Sequence, residues 1–130
     1  MAVPYTSSAQ DLIGSSRRAD IVFFRSGRID ISASTSKALN LEDGDTISIL
    51  HDGGEYYLYV RGKASSLCGR HEAVCRPTKK KSRHFRTYSR MLAEHILAEA
   101  GVTLVARLAV GRPIESESGV LLPIITRHTL

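Results

Sequence analysis

Apolar and polar positions alternate with a period of two along much of the first half of this chain. "ADIVFFRSGRIDIS" (residues 19–32) places apolar, β-forming residues on each side of Ser26-Gly27, which predicts a strand, a tight turn and a second strand. "ASTSKALNL" opens on Ser and Thr, which cap helices well, and continues into Ala38, Leu39 and Leu41, predicting a helix of about two turns. "DTISIL" and "EYYLYVRG" alternate again around the turn "HDGG", giving the order β-β-α-β-β for residues 20–62.

The period then fails. "KASSLCGRHEAVCRPTKKKSR" is polar and basic, carries Pro77, and reads as a linker over residues 63–84. "HFRTYSRMLAEHILAEAG" puts Met91, Leu92, His95, Ile96 and Ala100 at helical spacing with Gly101 as the stop. "VTLVARLAVG" and "GVLLPIITRH" read as strands joined by "RPIESES". Residues 85–130 thus form a second α/β unit that repeats the order of the first. With a shift of 58, Leu39 falls on Leu97, Ile47 on Val105 and Leu50 on Leu108, so a divergent repeat sharing one core is expected. Residues 1–19, rich in Ser and Ala and without a period, read as a flexible arm.

Composition alters this picture in one respect. At 130 residues and 42% hydrophobic the chain suits one soluble globular unit, and no apolar run approaches the ~20 residues of a membrane span. The N-terminus has no charged start leading into an apolar block, so a cytoplasmic protein with reduced cysteines, not associated with a membrane, is the expectation. The net charge of +5, however, is unevenly spread. Residues 61–90 hold ten Lys/Arg against the single acid Glu72 (+9), and the rest of the chain holds eight against twelve (−4). A basic segment in a mildly acidic chain suggests a polyanion, nucleic acid above all, although charge alone leaves a solvated linker open.

The stretch "SGRIDISASTSKALNLEDGDTISILHDGGEYYLYV" resembles the AbrB/MazE/SpoVT swapped-hairpin family of small bacterial DNA-binding proteins. Gly27, Arg28, Ile29 and Ile31 match the opening of the family pattern. Leu39 and Leu41 match its helix end, and Gly44, Asp45, Ile47 and Ile49 match its turn and strand. The resemblance covers residues 22–60, with a weak second copy in 85–127. It implies a mainly β fold with short helices (α+β), a swapped-hairpin-like β-barrel that is pseudo-dimeric within one chain. It also implies DNA contacts around the first hairpin and helix, where Arg25, Arg28 and Lys37 are kept. Three positions depart: the family proline is Ser32, its basic helix residue is Ser36, and its second glycine is Asn40.

Weighed one by one, the chemical candidates favour binding over catalysis. The run "RPTKKKSRHFR" and the four residues after it bring Arg76, Lys79, Lys80, Lys81, Arg83, Arg86 and Arg90, interleaved with Phe85 and Tyr88. Such residues neutralise phosphates and stack on bases, without reading sequence by themselves. Cys68, His71, Cys75 and His84 have the ligand types of a zinc site but match no familiar spacing, so no metal or other cofactor is expected. Ser34-x-x-Lys37 fits a nucleophile pattern that recurs by chance, and its usual partner motifs are absent. Glu42, Asp43 and Asp45 around Gly44 read as a turn from helix to strand. The tyrosines Tyr56, Tyr57 and Tyr59 read as packing or a protein contact surface. Two expectations result: a non-enzymatic DNA-binding regulator acting mainly through phosphate contacts, or an antitoxin-like or structural protein-interaction module on the same barrel. Either would accommodate a homodimer or another protein partner.

Overall fold

A computed structural model describes residues 18–64, 72–117 and 119–130. The strands are β1 (Ile21–Phe24), β2 (Arg28–Ile31), β3 (Asp45–Asp52), β4 (Glu55–Lys63), β5 (Ala73–Val74), β6 (Arg76–Pro77), β7 (Phe85–Tyr88), β8 (Val105–Val110), β9 (Ile114–Ser116) and β10 (Gly119–Ile125). The helices are α1 (Ala33–Leu39) between β2 and β3, and α2 (Arg90–Ala100) between β7 and β8. The protein is therefore mainly antiparallel β with two short helices. Its strands form one path, β5-β3-β4-β10-β8-β1-β2-β7-β6, with β9 pairing only β10.

The two ends of that path, β5 and β6, are separated in sequence by Cys75 alone, so the sheet curls into a nearly closed barrel. Around this corner the Cys75 amide donates to the Asp45 carbonyl (2.8 Å) and the Gly44 amide donates to the Cys75 carbonyl (2.9 Å). The acidic turn is thus where the ring is fastened. Asp45, buried, pins the turn by accepting from the Glu42 amide at 2.8 Å.

Local chemistry explains the elements. Ser32 caps α1 by accepting from the Thr35 amide at 3.2 Å. Asn40 ends the helix at φ 58°, a left-handed conformation that Asn tolerates, and the Leu41 amide returns to the Ser36 carbonyl. Ser36 is fully buried, so a long basic side chain has no room there. In α2, Ser89 caps the start and Gly101 (φ 73°) the end. The helix spans the residues Met91 to Ala100 that the sequence places at helical spacing, with Gly101 as its stop. Phe85–Tyr88 is extended, with Phe85 and Thr87 facing inward and Arg86 and Tyr88 outward. Likewise, β5 and β6 fall within 63–84, where the sequence suggests a linker. A two-residue strand next to Pro77 leaves no period to detect.

Alternate residues of the strands fill the barrel. Ile21, Phe23, Ile29, Ile31, Leu58, Phe85, Leu108, Leu122 and Ile124 form one buried cluster with Leu41 and with Leu92, Ala93, Ile96 and Leu97 of α2. Both halves of the chain contribute to it. Each large side chain removed from water there is worth ~2 kcal/mol, and together they oppose the entropy of ordering the chain. His95, expected among the apolar residues of α2, is exposed because the inward stripe runs through positions 92, 93, 96 and 97.

Candidate nucleic-acid interface

Residues that alternate with the core positions form the outer face of β8, β1, β2, β7 and β6. The antiparallel registers place Arg107 opposite Val22, Val22 opposite Asp30, Asp30 opposite Arg86, and Arg86 opposite Arg76. Three arginines from distant parts of the chain therefore stand in one cross-strand row with one acid among them. Two residues along the strands, Val105 faces Phe24 and Arg28 faces Tyr88 on the same surface.

Asp30 organises the centre. Arg28 donates to it from Nη2 at 2.7 Å and from Nε at 3.2 Å, and Arg86 donates from Nε at 2.7 Å. Burial alone would push the Asp30 carboxyl up, but these hydrogen bonds outweigh it and hold it below the ordinary aspartate value. The same hydrogen bond raises the Arg28 guanidinium further above its ordinary value, against a smaller effect of burial. Arg28 also lies over the Phe24 ring, 4.6 Å from its centroid. Asp30 cancels one charge of the pair but fixes two guanidinium planes against the sheet.

The groove beside this row is lined by Arg18, Lys79, His84, Arg86 and Arg107 with Asp30, and encloses about 690 Å³. Lys79, Lys80 and Lys81 are exposed in the β6–β7 loop, which is closed by the Thr78 amide donating to the His84 carbonyl (2.9 Å). Arg76 is exposed but reaches back to Asp43 at 3.0 Å, tying the row to the acidic turn. Arg83 lies over the Phe85 ring at 5.5 Å and donates to the Ser36 carbonyl at 3.4 Å, so it braces the loop against α1.

Of the ten predicted residues, Lys79 and Arg86 line the groove itself, and three lie away from this face. Arg25 is exposed in the β1–β2 turn, Lys37 in the last turn of α1, and Arg90 at the start of α2 beside Gly27. Arg18 and Arg107, which do line it, are absent from the sequence-based set. Arg107 carried a signal in the alternation of Val105–Val110, but nothing in the sequence pairs that strand with β1.

The other candidates separate cleanly. Cys68 and His71 lie outside the described residues. Cys75 is buried, and burial pushes its thiol up to about 12, with the Thr87 hydroxyl partly opposing the shift. His84 is exposed at the groove. No group of three or more His, Cys, Asp or Glu able to hold a metal ion occurs among the described residues. Tyr56 stacks on His51 (4.3 Å between centroids, 4° between planes) and donates to Glu99 at 2.8 Å, which raises its phenol above the ordinary value. Among the described residues, no helix is long and apolar enough to cross a membrane. No family model matches the chain, and no curated protein or solved structure matches it.

Proposed function

We propose that this protein binds nucleic acid without catalysing a reaction, as a regulator that acts by occupying DNA. The outer face of β8, β1, β2, β7 and β6 is its phosphate-contacting surface. The observation that carries this reading is the row Arg107–Val22–Asp30–Arg86–Arg76, flanked by Arg18 and by the exposed Lys79, Lys80 and Lys81. Guanidinium and ammonium groups on one rigid face displace counterions from a phosphate backbone, and that release drives association most strongly at low salt. Asp30 pairs with Arg28 and Arg86 and so offsets one positive charge of this face, leaving the surplus to the other arginines and the lysines. Such contacts fix position and register and leave sequence preference to other groups.

Strand register also supports the pseudo-dimeric, swapped-hairpin reading of the barrel. Taking β7 as the counterpart of β2, β8 of β3, and β10 of β4, each of two strands pairs with its own counterpart: β2 with β7, and β4 with β10. β1 lies between β2 and β8, while the β5–β6 segment lies between β7 and β3, the same neighbours after exchange of halves. This is the pattern expected where a twofold axis relates two halves of one ring.

A protein-interaction role is favoured by different residues, the exposed apolar set Tyr88, Met91, Leu104 and Val105 at one end of the barrel. Fluorescence anisotropy with labelled DNA, titrated from low to physiological salt, separates the two. Salt-dependent binding weakened by Arg86→Ala and Arg107→Ala supports the nucleic-acid reading. An absence of binding at low salt sinks it.

A further inference from the structure

We infer that the nucleic acid taken by this face is single-stranded, with bases stacked on Tyr88 and on the Arg28 guanidinium that lies over Phe24. The inference rests on the phosphate-binding reading above and narrows its ligand. Two adjacent cross-strand rows carry different chemistry on one surface. The first holds Arg107, Arg86 and Arg76. The second, two residues further along each strand, holds Val105, Phe24, Arg28 and Tyr88. Two residues of strand span roughly 7 Å, a separation that the sugar of one nucleotide bridges between its phosphate and its base.

The second row ends in an exposed aromatic ring. Tyr88 is 62% exposed, although it sits in a strand whose neighbours Phe85 and Thr87 are buried. An aromatic left this open on a sheet face offers a ring to a partner that brings its own π-surface. Beside it, the Arg28 guanidinium is held by hydrogen bonds to Asp30 and lies over the Phe24 ring, 4.6 Å from its centroid. A guanidinium so fixed is a second stacking plane, because arginine planes accept bases as aromatic rings do. Val105, 37% exposed, extends the row with an apolar edge.

Paired bases in a duplex are turned toward one another and cannot lie on such a row; unpaired bases can. Charge complementarity points to the same occupant. Its phosphates meet Arg86 and Arg107 in the groove while its bases cross to the Arg28–Tyr88 row. Stacking on a π-face tolerates any base, so little sequence preference is expected.

The test uses the full chain with a labelled thymidine oligomer and a duplex of equal length at matched salt. The oligomer is expected to bind at least tenfold more tightly. Tyr88→Ala should weaken oligomer binding about five- to hundredfold, the range that one stacked base contributes. Tyr88→Phe should keep it, and duplex binding should not respond to either change. Because the protein has no tryptophan, Tyr88→Trp makes a sole reporter whose emission the oligomer quenches and the duplex does not. Equal binding of both ligands, with Tyr88→Ala neutral, overturns the stacking inference and leaves the phosphate surface standing. Binding of neither at low salt overturns both. Each variant is checked by its thermal transition, which an exposed Tyr88 leaves near that of the parent.

Discussion

Replacing Asp30 with Asn should weaken the fold and strengthen nucleic-acid binding at the same time. The carboxylate receives charge-assisted hydrogen bonds from Arg28 and Arg86, the shortest two at 2.7 Å. Buried bonds of this kind are worth roughly 1.5–3 kcal/mol each. Here the arginine side chains are 38% and 37% exposed and the Asp30 side chain 27%, so solvent screening brings the pair closer to surface values. A combined loss of about 1–2 kcal/mol is expected, since the Asn carbonyl keeps one weaker acceptor and the two arginines are left with uncompensated repulsion. For a chain of this size that corresponds to a fall in Tm of about 3–8 °C.

The pH dependence carries its own sign. The folded-state value of Asp30 lies below the ordinary 3.8, so its contribution is fully present above that pH and is lost as pH falls through the folded value. The gap in Tm between parent and variant should therefore be constant near neutrality and close below about pH 4. Calorimetry or circular-dichroism melts from neutral to strongly acidic pH would read it. In binding, the variant removes the acid from the arginine row, so affinity should rise at low salt. The slope of log affinity against log salt should steepen by up to about one unit if Arg28 gains a phosphate. A variant with unchanged Tm at neutral pH would refute the energetic argument. Unchanged affinity would show that this face does not meet the ligand.

Changing Lys79, Lys80 and Lys81 together to Ala should leave Tm within ~1 °C and reduce the salt slope on a single strand by up to about 2.1, or about 0.7 for each phosphate no longer neutralised; an unaltered slope excludes the loop from the interface. Gly27→Ala should cost about 1–3 kcal/mol, because φ is +101° and the new Cβ would stand 3.1 Å from the Arg90 backbone nitrogen, where no side chain can yield. A melt like that of the parent would contradict this. In a Cys68→Ser background, the thiol of Cys75 should resist a disulfide reagent at mildly alkaline pH until denaturant is added, since burial pushes it up to about 12. Rapid labelling of the native protein would mean that the barrel corner opens freely.

Much of the architecture could be read from residue patterns because the signals were local. The Ser26-Gly27 turn, the stops at Asn40 and Gly101, and the alternation of Asp45–Asp52 and Glu55–Lys63 each lie within a few residues of what they specify, whereas the cap of α1 falls on Ser32 and not on the Ser and Thr of "ASTS", which lie inside the helix. What escaped was either too short or too distant. The two-residue strands β5 and β6 have no measurable period, and Ser89, which ends β7 and begins α2, looks like one more polar residue in a basic run. The interface divided in the same way. Arg28, Arg76, Lys79 and Arg86 stood out as charges, but the pairing of β1 with β8 that adds Arg107 joins residues over 80 positions apart. Asp30 was legible only as a polar alternate of a strand, and its control over two arginines depends on the β2–β7 register.

The corner at Cys75 also bears on which strand borders the barrel leaves open. A sheet with free borders offers bare amides and carbonyls on which a second chain can build. Here the path returns to its start within a single residue, and its terminal strands are two residues long. Among the described residues the strand that stands off this path is β9, three residues long and paired on one side, with Ile114, Glu115 and Ser116. β9 offers a short template with a carboxylate at its middle, whereas β3 pairs β5 only at Thr46 and Ile47 and so leaves residues 48–52 with strand pairing on the β4 side alone. The border most open to an added strand is therefore the far half of β3, where the exposed His51 and Asp52 stand, and a charge placed at Ile114 of β9 should be tolerated without cost to solubility.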